Sequence, residues 1–383
     1  MMHIKSTSSC SRFLGCLAER QRRWIAAACV LLTSTACSSA PSEVGTEGLV
    51  SWARPSPAGP PFALFPRLAA SDTGLFIGYR NTVIAVRARD GQFLWQRSTE
   101  QSVGVVAFGD SVIAVLAGGT SVGLRQATGA PLWSRRIAGA SSTVPPVRVG
   151  TTAVFNTSDA SLWAVDGLTG DGRRLASALQ LSDTAAAGVW SIAANRDTAI
   201  VFLQLDSEFG ETGDFVVTRI HVPSSTIVSR SRITRLDNEF GENRRMVVQD
   251  SVVVLPISGC ALAVDARTGR RRWKQCGSIS QVALRDGVLY ATSGSGPLFA
   301  IDPVTGRNLR RLDLQVTSPF DLVPCQEGIV LVNGGVLIVQ NRDGAKPGAV
   351  NRTDQFDDYL GLVRNGATLF MHGEKSMMAL RCN

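Results

Sequence analysis

A strand–turn–strand element that recurs about every 40 residues constrains this chain more than any other feature. Its clearest copy spans residues 261–273, where an apolar strand ends at Asp265, Thr268-Gly269 make a turn, and Trp273 follows four residues after the glycine. Glycine adopts positive φ without a steric penalty, which suits such a turn. The turn glycines Gly91, Gly129 and Gly170 lie 38 and 41 residues apart, and Gly269, Gly306 and Gly344 lie 37 and 38 apart; only the interval that contains the fourth unit is irregular. This period, with short alternating strands, predicts an all-β propeller.

The number of repeats predicts eight blades, closed by the chain's own N-terminal strand. Eight apolar units are present, and the last one stops at residue 383 before its fourth strand. Gly48 and Trp52 have the same spacing as Gly269 and Trp273. We therefore expect residues 48–53 to form the outer strand of the last blade, which removes an open ring edge. The alternative is that Trp52 is an aromatic residue of a linker.

The repeat resembles the PQQ-type repeat of BamB-like outer-membrane assembly lipoproteins and of quinoprotein dehydrogenases. The resemblance is carried by residues 162–170, 261–273 and 298–306, and it covers about residues 46–383. It implies a propeller but specifies function poorly, because one fold hosts many functions.

The resemblance to quinoproteins implies a vicinal disulfide, a stacking Trp and a calcium site beside an Asp base. No two cysteines of this chain are adjacent, and the recurring Trp residues occupy one position of the repeat, which indicates blade packing. Asp166, Asp265 and Asp302 precede turns and are expected to cap them. We expect no cofactor and no catalytic residues, and the chain is predicted not to be an enzyme.

The N-terminus predicts export. Residues 20–23 are basic, residues 24–32 are apolar, and small residues lead to Cys37. We interpret residues 1–36 as a lipoprotein signal peptide, Cys37 as the lipidated residue, residues 37–47 as a tether and residues 48–383 as the propeller. Simple cleavage nearby and a retained anchor remain alternatives, as do general and twin-arginine export.

Charge and composition exclude several classes of function. The formal net charge is +8, and half of it lies in residues 1–36. The remainder is too mildly basic for a nucleic-acid-binding protein. Three histidines without metal-ligand spacing make a histidine- or cysteine-based metal site unexpected.

The cysteines after the signal peptide suggest two disulfides. If the turn is centred on Thr268, Cys260 faces Cys276 across two antiparallel strands, within reach of a bridge. A shift of one residue would instead place the two thiols on opposite faces. Cys325 and Cys382 lie near turns that should open on the same face of the propeller, which makes them candidates for a second bridge that ties down the C-terminus.

The fourth unit carries the strongest hypothesis for a binding site. The motif Glu-Phe-Gly-Glu occurs twice, in a turn within the unit and in the link to the fifth unit, and both loops should emerge on one face. An exposed Phe among acidic residues can anchor a protein partner. The candidate residues are Glu208, Phe209, Glu211, Glu239, Phe240 and Glu242. Loops that bury their own Phe are the alternative, and a calcium site is a further one that lacks EF-hand spacing.

Basic pairs on the predicted outer strands admit two interpretations, protection of edge strands or contact with anionic lipid headgroups. They include Arg135-Arg136, Arg173-Arg174, Arg271-Arg272 with Lys274, and Arg310-Arg311.

The sequence as a whole favours a monomeric, lipid-anchored propeller of the cell envelope, on the outer membrane facing the periplasm. We expect a protein-interaction scaffold, and the resemblance to BamB-like lipoproteins implies an outer-membrane barrel assembly complex as one specific partner. A periplasmic propeller that binds a small ligand is the alternative, followed by a PQQ-dependent enzyme.

Overall fold

The structure is a computed structural model. It describes residues 50–56, 67–79, 81–99, 103–109, 111–137, 139, 144–183, 187–205, 212–237, 246–257, 259–293, 297–312, 321–325, 328–333, 336–341, 347–352, 359–373 and 376–382. Residues Gly45–Asn383 form one compact unit that contains all the described strands. None of the described segments is a helix long and apolar enough to cross a membrane.

The described residues form eight four-stranded antiparallel sheets, numbered here in chain order. Sheet 1 contains β2 (Arg67–Ala70), β3 (Gly74–Tyr79), β4 (Thr82–Arg87) and β5 (Phe93–Ser98). Sheet 2 contains β6 (Val103–Phe108), β7 (Val112–Ala117), β8 (Thr120–Arg125) and β9 (Pro131–Arg136). Sheet 3 contains β10 (Val147–Val149), β11 (Thr152–Asn156), β12 (Leu162–Asp166) and β13 (Gly172–Ala176). Sheet 4 contains β14 (Ala187–Asn195), β15 (Thr198–Leu205), β16 (Thr212–His221) and β17 (Thr226–Asp237), and a short helix, α1 (Ala178–Ser182), precedes it.

The second half of the chain repeats the arrangement. Sheet 5 contains β18 (Val247–Gln249), β19 (Val252–Ile257), β20 (Cys260–Asp265) and β21 (Arg271–Cys276). Sheet 6 contains β22 (Ile279–Arg285), β23 (Val288–Ser293), β24 (Leu298–Ile301) and β25 (Asn308–Leu312). Sheet 7 contains β26 (Asp321–Pro324), β27 (Gly328–Asn333), β28 (Val336–Asn341) and β29 (Pro347–Arg352). Sheet 8 contains β30 (Tyr359–Asn365), β31 (Thr368–Gly373), β32 (Ser376–Arg381) and, as its outer strand, β1 (Val50–Pro55).

The sheets pack face to face around a ring, which gives the all-β propeller expected from the repeat. Eight hydrophobic clusters lie between consecutive sheets, one for each neighbouring pair. The cluster that joins sheet 8 to sheet 1 contains Trp52, Leu75, Phe370 and Ala379. Because β1 pairs with β32, the first and the last described strands meet within sheet 8. The observed strand begins and ends two residues later than residues 48–53, the range that the sequence suggests.

Strand position within a sheet explains the apolar pattern. The second and third strands are covered on both faces by neighbouring sheets, so they are nearly continuous apolar runs such as Gly74–Tyr79. The outer strands lie at the circumference and are mostly exposed. In Pro131–Arg136, for example, only Trp133 is buried.

Candidate partner-binding surface

The candidate surface is the end of sheet 4 that carries both Glu-Phe-Gly-Glu loops. Glu208, Phe209, Glu211, Glu239, Phe240 and Glu242 lie outside the described residues, as does Cys37. The strands that carry the loops are described. Loop 206–211 joins β15 to β16, and residues 238–245 follow β17.

The two loops start beside each other. Thr212, the first residue of β16, pairs with Asp237, the last residue of β17. Paired residues of antiparallel strands lie about 5 Å apart at their Cα atoms. The bases of the two loops are therefore neighbours on one end of one sheet.

Sheet 4 is longer than the other sheets at this end. Its strands have nine, eight, ten and twelve residues, whereas the other described strands have three to seven. At about 3.3 Å per residue, the additional pairs extend the sheet beyond its neighbours. The strands therefore present the two loops on a projecting support.

Aromatic side chains stiffen this support from inside. Phe202 and Phe215 stack with their ring centroids 5.0 Å apart, and both are buried. Trp190 meets Phe215 edge to face, with the centroids 6.1 Å apart. It sits at a β-bulge, where the pairing of β14 with β15 shifts between Val189 and Ser191. Aromatic pairs of this geometry add about 0.5–1.5 kcal/mol beyond their buried area.

Polar contacts fix the outer face of the same sheet. Arg232 Nε donates a hydrogen bond to Asp214 Oδ2 at 2.9 Å, which links β17 to β16 near the loops. Arg230 forms an ion pair with Asp183, at the end of α1. The buried hydroxyl of Thr218 donates to the Leu181 carbonyl at 2.6 Å. These contacts join the helix and the two outermost strands into one unit.

The recurring Trp and Asp residues build the scaffold. Trp95 donates its indole N–H to the carbonyl of Gln126, and Trp273 donates to that of Pro303, in each case across to the next sheet. Asp166, Asp265 and Asp302 each accept two backbone N–H groups through Oδ1 and so cap their turns.

The carboxyl of Asp265 stays ionised because of these bonds. Burial acts to raise the pKa of Asp265, but hydrogen bonds from Arg272 and from the amides of Arg267 and Thr268 outweigh it. They lower the pKa to about 2. This chemistry holds a turn in place.

Both cysteine pairs are bonded in the structure. A disulfide joins Cys260 to Cys276, which are directly paired across β20 and β21 with a Cα–Cα distance of 4.0 Å. A second disulfide joins Cys325 in sheet 7 to Cys382 at the end of β32, with a Cα–Cα distance of 4.7 Å. This second bond fastens the C-terminal end of the chain to the neighbouring sheet.

The described part of the chain contains no group of three or more His, Cys, Asp or Glu side chains that could hold a metal ion. An open groove lies where sheet 8 meets sheet 1, at the circumference of the ring. It is lined by Arg54, Pro55, Val86, Gly91, Gln92, Phe93 and Met377.

Two features were missed by reasoning from sequence. Helix α1 begins with a capping box in which Ser177 and Gln180 bond each other's backbone, and the Ser-x-x-Gln spacing is a signal that could have found it. In sheet 4, Ser229 and Ser231 donate hydrogen bonds to the carbonyls of Ala266 and Arg267. They occupy the position at which sheets 1, 2, 5 and 8 carry the recurring Trp.

Comparison with known proteins agrees with the repeat. The sequence profile of the PQQ-like repeat family described as "Outer membrane protein assembly factor BamB" matches residues 79–312 and 258–355. No curated protein sequence gives a significant match.

Solved structures share the fold. BamB from Moraxella catarrhalis is 17% identical, with a TM-score of 0.60 over 82% of this chain and 96% of that one. The computationally designed protein Ika8 is 16% identical, with a TM-score of 0.63 over 87% of this chain and 100% of its own. Sqt1 from Saccharomyces cerevisiae is 11% identical, with a TM-score of 0.58 over 88% and 99% of the two chains. At these identities the likeness shows a shared fold alone.

Proposed function

Because the chain belongs to the PQQ-like repeat family described as outer membrane protein assembly factor BamB, we propose that it is a non-catalytic scaffold of the cell envelope that binds another protein. The specific version of this role is assembly of outer-membrane proteins, through contact with a barrel assembly complex. The proposal includes a closed eight-bladed ring, which the eight inter-sheet clusters support.

The observation that carries the proposal is the pairing of Thr212 with Asp237 on the projecting end of sheet 4. It brings the bases of two loops with the same Glu-Phe-Gly-Glu motif together. Two Phe residues, each within an acidic motif and each next to one of these paired strand ends, suit a partner surface that has an apolar pocket with a basic rim. The packed strands fix the positions of the two strand ends before binding, which lowers the entropic cost of association.

The proposal also covers the N-terminus. Residues 1–36 are the export signal, Cys37 carries the lipid, and residues 37–47 connect it to a monomeric domain formed by residues 48–383. The basic n-region, short apolar run and small residues before Cys37 support this assignment. The anchor would hold the propeller at the periplasmic face of the outer membrane.

The test is a crosslinked pull-down from native membranes with the wild-type chain and with the double variant Phe209→Ala/Phe240→Ala. We expect the wild-type chain to recover an outer-membrane barrel complex and the double variant to lose at least tenfold of it. Phe93→Ala is the matched control, because Phe93 is a 53% exposed Phe in sheet 1, away from sheet 4.

Each outcome is informative. Retention of the complex by the double variant would remove these loops from the proposal, and equal loss in the Phe93→Ala control would indicate a nonspecific effect. If the wild-type chain recovers no specific protein, the scaffold role is wrong.

A further inference from the structure

The turns at the outer edge of the ring form a second surface, which exposes arginine and apolar side chains. In each sheet an outer turn joins the third strand to the fourth. In sheet 8 the corresponding position lies between β32 and β1, where Val50 pairs with Leu380. Val50, the first described residue, therefore lies at the edge that carries the outer turns, whereas the paired residues Thr212 and Asp237 lie at the opposite end of the strands of sheet 4.

The outer turn of sheet 5 and the start of β21 are basic, and the outer turn of sheet 6 adds Arg307. Arg267, Arg270, Arg271 and Arg307 are exposed, and within the described part of the chain none of the four forms an ion pair. The carboxylates in these turns are already engaged. Asp265 pairs with Arg272 at 2.6 Å, and the carboxylate of the other turn accepts two backbone amides.

Exposed apolar side chains lie among these cations. Val304 is 43% exposed and Leu309 is 41% exposed, on either side of Arg307. Most of the large apolar residues that the described part of the chain exposes lie in or just after an outer turn, namely Phe93, Leu132, Leu168, Val228, Val304 and Leu309. Guanidinium groups interspersed with aliphatic side chains are the pattern of an interfacial membrane-binding surface.

Contacts between β21 and sheet 6 fix the positions of the outer turns of sheets 5 and 6 relative to each other. Trp273 donates to the Pro303 carbonyl at 2.9 Å, and Gln275 donates to Asn308 Oδ1 at 2.6 Å. The ring of Trp273 lies so close to Gly306 that a Cβ on this glycine would come within 2.5 Å of it. The cations of β21 and of the next outer turn are thus fixed relative to each other before any ligand binds.

We propose that Arg267, Arg270, Arg271, Val304, Arg307 and Leu309, here named the basic edge, dock on the headgroups of an anionic phospholipid bilayer. The apolar residues would enter the headgroup region while the guanidinium groups contact phosphates. Which membrane the basic edge contacts depends on the lipid anchor, and in this respect the inference rests on the proposed function. Twelve residues lie between Cys37 and Val50, and the thirteen Cα–Cα steps span about 45 Å at full extension, enough for the propeller to tilt onto this edge.

The rest of the same face restricts the contact to the edge. The turns between first and second strands, nearer the ring axis, expose Asp72, Asp197, Asp250 and Asp286, while Arg196 is exposed beside Asp197 and Arg285 pairs with Asp286. These turns are therefore less basic than the outer turn of sheet 5, so we expect the propeller to dock tilted, with its outer turns on the bilayer. The opposite face, with the sheet 4 loops, is then left open for a protein partner.

The experiment separates this contact from the anchor. The chain carrying Cys37→Ser and lacking residues 1–36, so that neither a lipid nor the apolar signal segment can anchor it, is sedimented with vesicles of phosphatidylcholine alone or mixed with phosphatidylglycerol. We expect binding only to the mixed vesicles, with a decrease as salt screens the charges. Vesicle binding does not depend on a protein partner. The scaffold role and the docking of the basic edge on lipid can therefore fail independently.

Two pairs of adjacent arginines, one at the start of β21 and one at the end of β9, provide a matched comparison. Arg270→Gln/Arg271→Gln should weaken vesicle binding about 25-fold, at about fivefold for each cation removed from the surface. Arg135→Gln/Arg136→Gln removes the same charge at the far end of β9, which faces away from the outer turns, and should change binding less than twofold. Leu309→Ser should also weaken binding, and all variants should keep the wild-type melting temperature.

Three results would overturn the proposal: no binding of the Cys37→Ser chain to the mixed vesicles, equal binding to phosphatidylcholine alone, or equal losses in the two arginine pairs. If vesicle binding is absent while Arg270→Gln/Arg271→Gln loses a protein in the pull-down, the basic edge is a protein-binding surface instead.

Discussion

The indole Nε1 of Trp52, in the first strand of the propeller, donates a hydrogen bond to the carbonyl of Ala88 at 2.7 Å. Trp95 and Trp133 make the same contact with Gln126 and Gly167 of the following sheets. Trp52 does so between sheet 8 and sheet 1, where the covalent chain does not connect them. The interface between sheets 8 and 1 therefore has the same Trp contact as interfaces between sheets that the chain joins directly.

Replacing Trp52 tests this closure. Trp52→Ala removes a buried aromatic ring from the cluster between sheets 8 and 1, and we expect a loss of about 3–5 kcal/mol in the free energy of unfolding. Trp52→Phe keeps most of the apolar area and should cost less. Urea unfolding monitored by circular dichroism measures both.

Trp273→Ala is the internal counterpart of this change. Because sheets 5 and 6 remain joined by the chain, we expect Trp52→Ala to raise protease cleavage near the termini and Trp273→Ala not to do so. Equal cleavage patterns would contradict a closing role for Trp52.

The sequence predicts those features of this structure best that depend on residues close together in the chain. Turn spacing identified the outer turns and the Trp contacts, because glycine conformation and a Trp four residues later are local signals. The pairing of Cys260 with Cys276 depends on more. The pairs nearer the turn follow a different register, with a bulge between Ala263 and Val264, and only beyond the bulge do the two cysteines face each other.

The candidate site was less accessible to such reasoning. The repeated Glu-Phe-Gly-Glu motif is visible in the sequence, but the lengthened strands of sheet 4 and the docking of α1 depend on tertiary contacts. Leu181, for instance, is buried in the cluster between sheets 3 and 4, which only the assembled ring provides. No periodic signal marks such a contact.

Glycine at the outer turns is required for two reasons, and one substitution can measure them together. Gly306 has a φ of +73°, and an added Cβ would lie 2.5 Å from Cγ of Trp273. Gly306→Ala should therefore combine backbone strain of about 1–2 kcal/mol with overpacking of about 1–3 kcal/mol.

Gly366 is the matched control for this change. Its φ is +54°, but an added Cβ would meet nothing within 4 Å. Gly366→Ala should cost only the backbone strain, about 1–2 kcal/mol by urea unfolding. A cost for Gly366→Ala as large as that of Gly306→Ala would show that contact with Trp273 is unimportant.

The two disulfides should differ in stabilisation and in access to reductant. They enclose sequence separations of 16 and 57 residues, for which the chain-entropy relation gives about 3 and about 4 kcal/mol. Cys276 is exposed, whereas Cys325 and Cys382 are both buried. Since exchange requires access to a sulfur, a mild reductant should open the Cys260–Cys276 bond first.

Alkylation followed by peptide mass mapping checks this order. The protein is exported in our proposal, so both bonds should be present in material isolated from the envelope. Simultaneous labelling of all four cysteines would show that global unfolding, rather than local access, limits reduction.

His372 should make stability depend on pH. It is fully buried in β31, Nε2 lies 3.1 Å from Ser56 Oγ, and Nδ1 has no hydrogen-bond partner within the described structure. Burial lowers the pKa of His372 from 6.5 to about 4, because desolvation penalises the charged imidazolium.

Between these two values the unfolded chain binds a proton that the folded chain does not. The stability contributed by neutral His372 is therefore complete above about pH 6.5 and declines as pH falls towards 4, by about 3 kcal/mol in total. Urea midpoints measured at neutral and at mildly acidic pH should show this decline in the wild-type chain. His372→Gln, which keeps a polar group near Ser56 but does not titrate, should lose most of it, while the acid dependence caused by the capped carboxylates remains at lower pH. A decline of the same size in His372→Gln would place the sensitive group elsewhere in the ring.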